Sequence, residues 1–328
     1  MRHHRPGSAA CWDMAGSTWT DLVGPDRRAA AQRRRDGQPR PAARPCAASE
    51  PAFWVSPEVD REAVEVGYLM LETIAPTGPA SCDRTALAVL SALTAISDSY
   101  AATEHYEDIF GKYLFGRTVS EWVSAASSDA GWEGDSMRNA LRVQYETLRA
   151  QRREYGTAAA AEQVRQNHAD YREYLRWRDA EGCFYGILLF AAVAAGIDIR
   201  GLPAGRVAGA LEAGIIAFDT HSLIRHRRED ETGDVFRYLP GTHRQQVDAA
   251  LELVRELHLD LIHATDLDDR GKEFLLRYVT GGTLLPYLPR RWARTTALHI
   301  APIDWPGQGW THVADRSSHA VGYRATRK

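Results

Sequence analysis

The sequence predicts an all-α protein. Apolar residues recur every three to four positions through most of residues 51–300, which is typical of helices that bury one face. Sustained alternation of apolar and polar residues, the mark of half-buried strands, is absent. Proline and glycine collect between the periodic segments, as in APTGP at 75–79 and GLPAG at 201–205. These observations predict one large helical domain over 51–300.

Eight segments in chain order show helical periodicity or continuous apolar character. They are 60–74, 84–100, 137–156, 158–179, 184–196, 205–228, 244–261 and 271–279. Residues 1–50 are rich in Arg, Ala, Pro and Gly and predict a disordered leader. Residues 301–328 lack periodicity and predict an irregular tail. The acidic stretch at 263–273 has neither the glycine nor the final glutamate of a calcium loop, so it is interpreted as a turn between helices.

Composition excludes several classes of protein. The chain has 328 residues and a formal net charge of -3, so it carries no overall basic signal for nucleic acid or for a membrane surface. Four cysteines without a CxxC pair argue against a zinc site and against a disulfide framework. The longest apolar run, 187–196, is too short to span a bilayer. We therefore expect a cytoplasmic protein with no membrane span.

The first of three polar groups ends an apolar helix. In AISDSYAATE, at 95–104, Ser97 and Asp98 close the apolar segment. A carboxylate there could ligate a hard cation such as Mg²⁺, which prefers oxygen ligands. The alternative is an ordinary polar helix end, because such groups commonly satisfy unpaired backbone atoms.

A second polar group, DYREYLRWRDAEG at 170–182, precedes the apolar segment 184–196. Arg172 and Arg176 are four residues apart on one predicted helix face, and Arg178 lies on another. An arginine beside a helix break could present its planar guanidinium to a phosphate. The alternative is a solvated charged face, which is the commoner use of such a sequence.

The third polar group continues the apolar run AGIIAF. Asp219, Ser222 and His226 follow one another at helical spacings, and Arg225 neighbours Ser222. A carboxylate, a hydroxyl, an imidazole and a guanidinium are thus predicted on one side of a helix. As a solvated helix end, RHRRED would be stabilised by its cations, but that does not explain Asp219 and Ser222.

In their order and residue patterns these segments resemble class I terpene cyclases, and among them the trichodiene synthase branch. DYREYLRWRDAEGCFYG resembles a family segment in which Arg176 falls on an arginine that contacts diphosphate. AFDTHSLIRH resembles the second metal motif, N-D-x-x-S-x-x-x-E, and AISDSY resembles the first aspartate-rich motif. YVTGGTLLPYLPRRW resembles the C-terminal Arg-Arg-Tyr segment, with Arg291 on an arginine that reaches the diphosphate. The resemblance covers roughly 55 to 295.

The resemblance implies an α-helical barrel around an apolar cavity, and a lyase that uses Mg²⁺ to ionise a prenyl diphosphate. The implied substrate is farnesyl diphosphate, the implied product a cyclic sesquiterpene, and the implied assembly a homodimer. It implies Mg²⁺ ligands at Asp98, Asp219 and Ser222, and catalytic roles for Arg176, Asp219, Ser222 and Arg225. Diphosphate contacts are implied for Arg172, Arg176, Arg225, His226 and Arg291. Candidate cavity aromatics, which could stabilise a carbocation, are Tyr68, Phe184, Tyr185 and Phe218.

The sequence departs from the family where the metals would bind. Ser97 replaces the first aspartate, Phe218 replaces the asparagine, His226 replaces the glutamate and Trp292 replaces the terminal tyrosine. One interpretation, the cation-substitution hypothesis, is that metal sites are partly retained through Asp98, Asp219, Ser222 and Glu229 or Asp230, while the arginines and His226 supply the missing positive charge. A second is a degenerate fold that binds a ligand or a partner without turnover. A remote third is a helical nucleic-acid binder that uses RHRR at 225–228.

Overall fold

Helices make up about 82% of the part of the chain that the computed structural model describes. The described residues are 66–67, 69–75, 83–100, 109–127, 131–155, 170–228 and 235–285. The predicted all-α fold class is confirmed for this part of the chain. The predicted leader, the predicted tail and the first half of the 158–179 segment lie outside it.

The helices are numbered in chain order. They are α1 (residues 66–67 and 69–74), α2 (Arg84–Tyr100), α3 (Val119–Ala126), α4 (Trp132–Tyr155), α5 (Tyr171–Gly182), α6 (Phe184–Ala195), α7 (Ala204–Arg228), α8 (His243–Ile262) and α9 (Asp269–Leu284). Two short 3₁₀ segments, Ile199–Gly201 and Val235–Tyr238, precede α7 and α8. Strands β1 (Tyr113–Leu114) and β2 (Arg117–Thr118) form an antiparallel hairpin before α3.

The hydrophobic core is centred on α2 and α6. Residues 86–93 of α2 and 186–194 of α6 are buried all round, as expected for helices with few polar residues. Helix α7 packs most extensively against α8 and α9, and α5 packs against α4, α6 and α7. No described helix is both long enough and apolar enough to cross a membrane.

Side-chain caps explain where several helices begin. Thr118 accepts a hydrogen bond from the Glu121 amide at 3.2 Å, and the Glu121 carboxylate accepts one from the Thr118 amide at 2.6 Å, so α3 begins with a capping box. Asp170 caps α5 by accepting from the Glu173 amide at 2.8 Å. Asp268 caps α9 by accepting from the Gly271 amide at 2.7 Å. The acidic stretch at 263–273 is thus the predicted turn, continued by the start of α9.

Glycines allow α7 and α9 to approach each other closely. A Cβ placed on Gly282 would lie 2.9 Å from the Gly214 carbonyl oxygen. A Cβ placed on Gly214 would lie 2.7 Å from the Tyr278 ring. The two backbones therefore meet directly, and this contact fixes the position of α7 on the N-terminal side of Asp219.

Candidate functional site

A line of buried polar side chains joins α5 to α7, and we call it the α5–α7 seam. On α5 the spacing of its members places them on one helix face, and the same holds on α7. The seam consists of Tyr171, Tyr174, Arg178 and Glu181 on α5 with Glu212, Asp219 and Ser222 on α7. All seven side chains are buried, although three of them are carboxylates and one is a guanidinium.

Asp219 is at the centre of the seam and is completely buried. Its Oδ2 accepts a hydrogen bond from the Tyr174 hydroxyl, and its Oδ1 accepts one from Arg178 Nε at 3.0 Å. Burial raises the pKa of Asp219, while Arg178 and the Tyr174 hydrogen bond act in the opposite direction. Both carboxylate oxygens therefore already have protein donors.

Arg178 connects Asp219 to a second carboxylate and to two aromatic rings. Its Nη1 donates to Glu181, one turn further along α5. Its guanidinium carbon lies 5.8 Å from the centre of the Phe184 ring and 5.6 Å from that of Phe218. The two rings meet edge to face with centres 5.7 Å apart. One cation thus lies between two carboxylates and against two rings.

The other end of the seam reaches a surface cleft. The Tyr171 hydroxyl donates to Glu212 at 2.9 Å, and Glu212 also lines a cleft of about 320 Å³ between α7 and the end of α8. At the cleft rim Arg206 pairs with Asp266, with an N–O distance of 2.9 Å. The seam therefore extends from Asp219 to Glu212 in the wall of this cleft.

Ser222 follows Asp219 by one turn and has a different environment. Its hydroxyl is buried and has no hydrogen-bond partner among the described residues. His221, beside it in the chain, is partly buried, and burial lowers the pKa of its imidazole. A buried hydroxyl without a partner is rare in folded proteins, so this position can accept a ligand atom or a water molecule.

The break between α5 and α6 lies next to the seam. Cys183 adopts a left-handed conformation, with φ 54° and ψ 36°, and its amide donates to the Asp179 carbonyl. A Cβ on Gly182 would lie 2.4 Å from the Phe184 ring, so the missing side chain lets that ring fold back over the end of α5. The break thereby brings Phe184 to Arg178.

The predicted site residues are only partly brought together. Asp219, Ser222, Phe184 and Phe218 lie at or beside the seam, and Tyr185 is partly buried just after the break. Arg176 is exposed on α5, and Arg172 is partly buried. Asp98, Arg225 and His226 belong to helices α2 and α7, but their side chains lie outside the described residues, as do Tyr68 and Arg291 entirely. Their implied roles stay predictions.

Arg178, Tyr174 and Glu181 were not predicted as site residues. Sequence reasoning chose the face that holds Arg172 and Arg176, whereas the buried face of α5 carries Arg178. The aromatic residues contain the signal that could have found it, because Tyr171, Tyr174 and Arg178 recur at three- and four-residue spacing. Aromatic positions indicate the buried face better than arginine spacing does.

The described donors do not form a complete Mg²⁺ site. Among the residues described, no three or more His, Cys, Asp or Glu side chains converge as metal ligands would. Phe218 has no donor atom, and both oxygens of Asp219 accept protein hydrogen bonds. Among the described side chains at this end of α7, the Ser222 hydroxyl has no hydrogen-bond partner. What the seam does contain is a guanidinium at the carboxylate where the resemblance implies a metal ion.

Comparison with known proteins adds no family to this picture. The chain matches no protein-family model and no curated protein sequence.

Proposed function

We propose that this protein is a class I terpene cyclase that ionises a prenyl diphosphate and cyclises the resulting carbocation, with farnesyl diphosphate as the substrate. One observation supports it above the others: Asp219, Arg178 and the rings of Phe184 and Phe218 meet at a helix break, with Ser222 one turn away. Such a group places polar atoms for a leaving anion beside aromatic faces for a cation. The α-helical barrel around an apolar cavity is part of the same proposal.

The charge of the seam determines what else the reaction needs. Arg178 contributes one positive charge, and Asp219, Glu181 and Glu212 together contribute up to three negative ones. A diphosphate carries about three negative charges, so it would be repelled unless further cations entered or a carboxylate took up a proton. We expect Mg²⁺ and the arginines at the end of α7 to supply that charge, with Arg178 taking part of the role that metal ions have in the family.

The test is a product assay with the purified full-length chain. Geranyl, farnesyl and geranylgeranyl diphosphate are supplied separately, with Mg²⁺ or with EDTA, and products are identified by gas chromatography with mass spectrometry. A cyclic product from farnesyl diphosphate that is lost in EDTA is the expected result. If no substrate gives a product while circular dichroism shows a folded helical protein, the proposed function is wrong.

Arginine variants then assign the diphosphate contact. The turnover of Arg176→Ala is compared with that of Arg178→Lys. Arg176 is the arginine implied by the resemblance, and Arg178 is the one that pairs with Asp219. The cation-substitution hypothesis expects Arg176→Ala and Arg225→Ala each to abolish turnover, and Asp219→Ala to reduce it partly. The reverse ranking would refute that hypothesis.

A second candidate function is ligand binding without turnover. The observation that favours it is that both Asp219 oxygens are already held, one by Tyr174 and one by Arg178. A protein of this kind would bind farnesol as tightly as farnesyl thiodiphosphate, because the diphosphate would add no attraction. Isothermal titration with both compounds separates the candidates: tighter binding of the thiodiphosphate in Mg²⁺ supports the cyclase.

A further inference from the structure

Asp179 is a buried acid that the proposed chemistry does not use. It follows Arg178 in the last turn of α5 and is completely buried. Its Oδ1 accepts the Tyr185 amide at 2.7 Å, and its Oδ2 has no hydrogen-bond partner among the described residues. Burying a carboxyl group with an unpartnered oxygen costs free energy, so such a group in a folded protein calls for an explanation.

The Tyr185 amide belongs to the first turn of α6. The N-cap residue of that helix, Cys183, provides no side-chain hydrogen bond to the amides of the first turn. Asp179 reaches across the break and provides one. A side chain of α5 therefore holds the beginning of α6, and the geometry of the break depends on it.

The surroundings of Asp179 disfavour its charge. Among the described residues, the titratable groups near Asp179 are Cys183 at the break, Tyr185 on α6 and Tyr278 on α9, and burial and a negative charge on Asp179 both raise the pKa of each. The Tyr278 hydroxyl donates to the Phe184 carbonyl at 3.0 Å. Arg178, its neighbour in the chain, is engaged by Asp219 and Glu181. Burial raises the pKa of Asp179 to about 8, although the Tyr185 amide acts in the opposite direction.

We propose that Asp179 is a proton-dependent clamp between α5 and α6, closed while its carboxyl is neutral and loosened when the carboxyl ionises. An ionised Asp179 would have a buried charge with one unsatisfied oxygen, and water must then enter the break to solvate it. The same turn of α5 carries Arg178 and Glu181, so water entry at the break disturbs the seam. The effect on the fold is independent of the proposed function, whereas an effect on turnover rests on it.

The sign of the pH dependence follows from the direction of the shift. Since the folded state raises the pKa of Asp179 above its ordinary value near 3.8, the folded protein binds this proton more tightly than the unfolded chain does. The contribution is fully present at low pH and is lost as pH rises to about 8. The clamp therefore opens on the alkaline side of neutrality.

The experiment is a pH titration of the full-length protein from pH 6 to pH 10. Near-ultraviolet circular dichroism and tryptophan fluorescence follow the packing, with Trp177 two residues before the clamp as a reporter. The wild type should show a one-proton transition near pH 8. Asp179→Asn should lack it, because the amide keeps an acceptor for Tyr185 and cannot ionise. Asp248→Asn, at an exposed position of α8, should keep it.

A second measurement follows the aspartate carboxyl groups themselves. In wild-type protein labelled with ¹³C at aspartate carboxyls, one carboxyl signal should titrate near pH 8, and it should persist in Asp219→Asn. The clamp is overturned if every aspartate carboxyl titrates below pH 6, or if Asp179→Asn retains the structural transition. A transition that is present without any cyclase activity would leave the clamp standing and refute the proposed function alone.

Discussion

Arg178→Met is the substitution whose effect on stability is best defined by the structure. Methionine keeps an unbranched apolar side chain beside Phe184 and Phe218 but removes the guanidinium and its positive charge. Asp219 and Glu181 would then remain buried without the guanidinium that now pairs with both. The perturbation is therefore chiefly the loss of a buried charge partner.

The expected cost is large because the pair is buried. Removing one partner of a buried ion pair costs about 3–5 kcal/mol, since the remaining charge has no compensation. Protonation of Asp219, whose pKa burial already raises, would relieve part of that cost and places the expectation toward the lower value. Arg176→Met, two residues away and exposed, should change stability by no more than about 0.5 kcal/mol.

The assay is urea unfolding followed by circular dichroism at 222 nm, a wavelength at which helices absorb, with linear extrapolation to water. The double variant Arg178→Met with Asp219→Leu should recover part of the lost stability, because an apolar pair leaves Glu181 as the single unpaired acid. Equal effects of Arg178→Met and Arg176→Met would refute the buried ion pair. The buried ion pair would also be refuted if the double variant lost more stability than the two single variants lose together.

Three further substitutions test the packing and the rings. In thermal unfolding, Gly282→Ala should destabilise the protein by about 1–3 kcal/mol because its Cβ meets the backbone of α7. Gly205→Ala, with open space around it, should be neutral or stabilising. Equal effects of the two substitutions would contradict the close approach of α7 and α9. Tyr171→Phe should cost about 1–3 kcal/mol in urea unfolding by removing the donor to buried Glu212, and no change would show that this bond adds nothing. Phe218→Leu should lower turnover of farnesyl diphosphate about 2–30-fold if its ring stabilises a carbocation, and unchanged turnover with unchanged products would assign the ring to packing.

The long helices could be predicted from the sequence, because their apolar residues recur over three or more turns. Helices α2, α6 and α7 begin and end within a residue or two of the predicted segments. Helix α3 was missed, since eight residues are too few for periodicity to be clear. Its capping box, Thr118 with Glu121, was nevertheless legible in the sequence and would have located its start.

The site was predicted less completely than the fold. Asp219 and Ser222 were chosen because they interrupt an apolar run, and both prove to be buried. The partner of Asp219 was missed because it depends on how α5 is rotated against α7, and tertiary packing fixes that rotation. Asp179 was missed for a similar reason: its burial results from contacts with α6 and α9 that lie beyond its own helix.

The direct contact between Gly214 and Gly282 has a mechanical consequence. Backbone against backbone leaves no side chain to rearrange, so α7 is pinned at a point about 7.5 Å along its axis from Asp219. On the other side of the seam, α5 ends before the left-handed residue Cys183, and Asp179 in its last turn holds the first turn of α6 by a side-chain hydrogen bond. We therefore expect α7 to keep its position when a molecule binds beside Asp219, and α5 to be the helix that shifts.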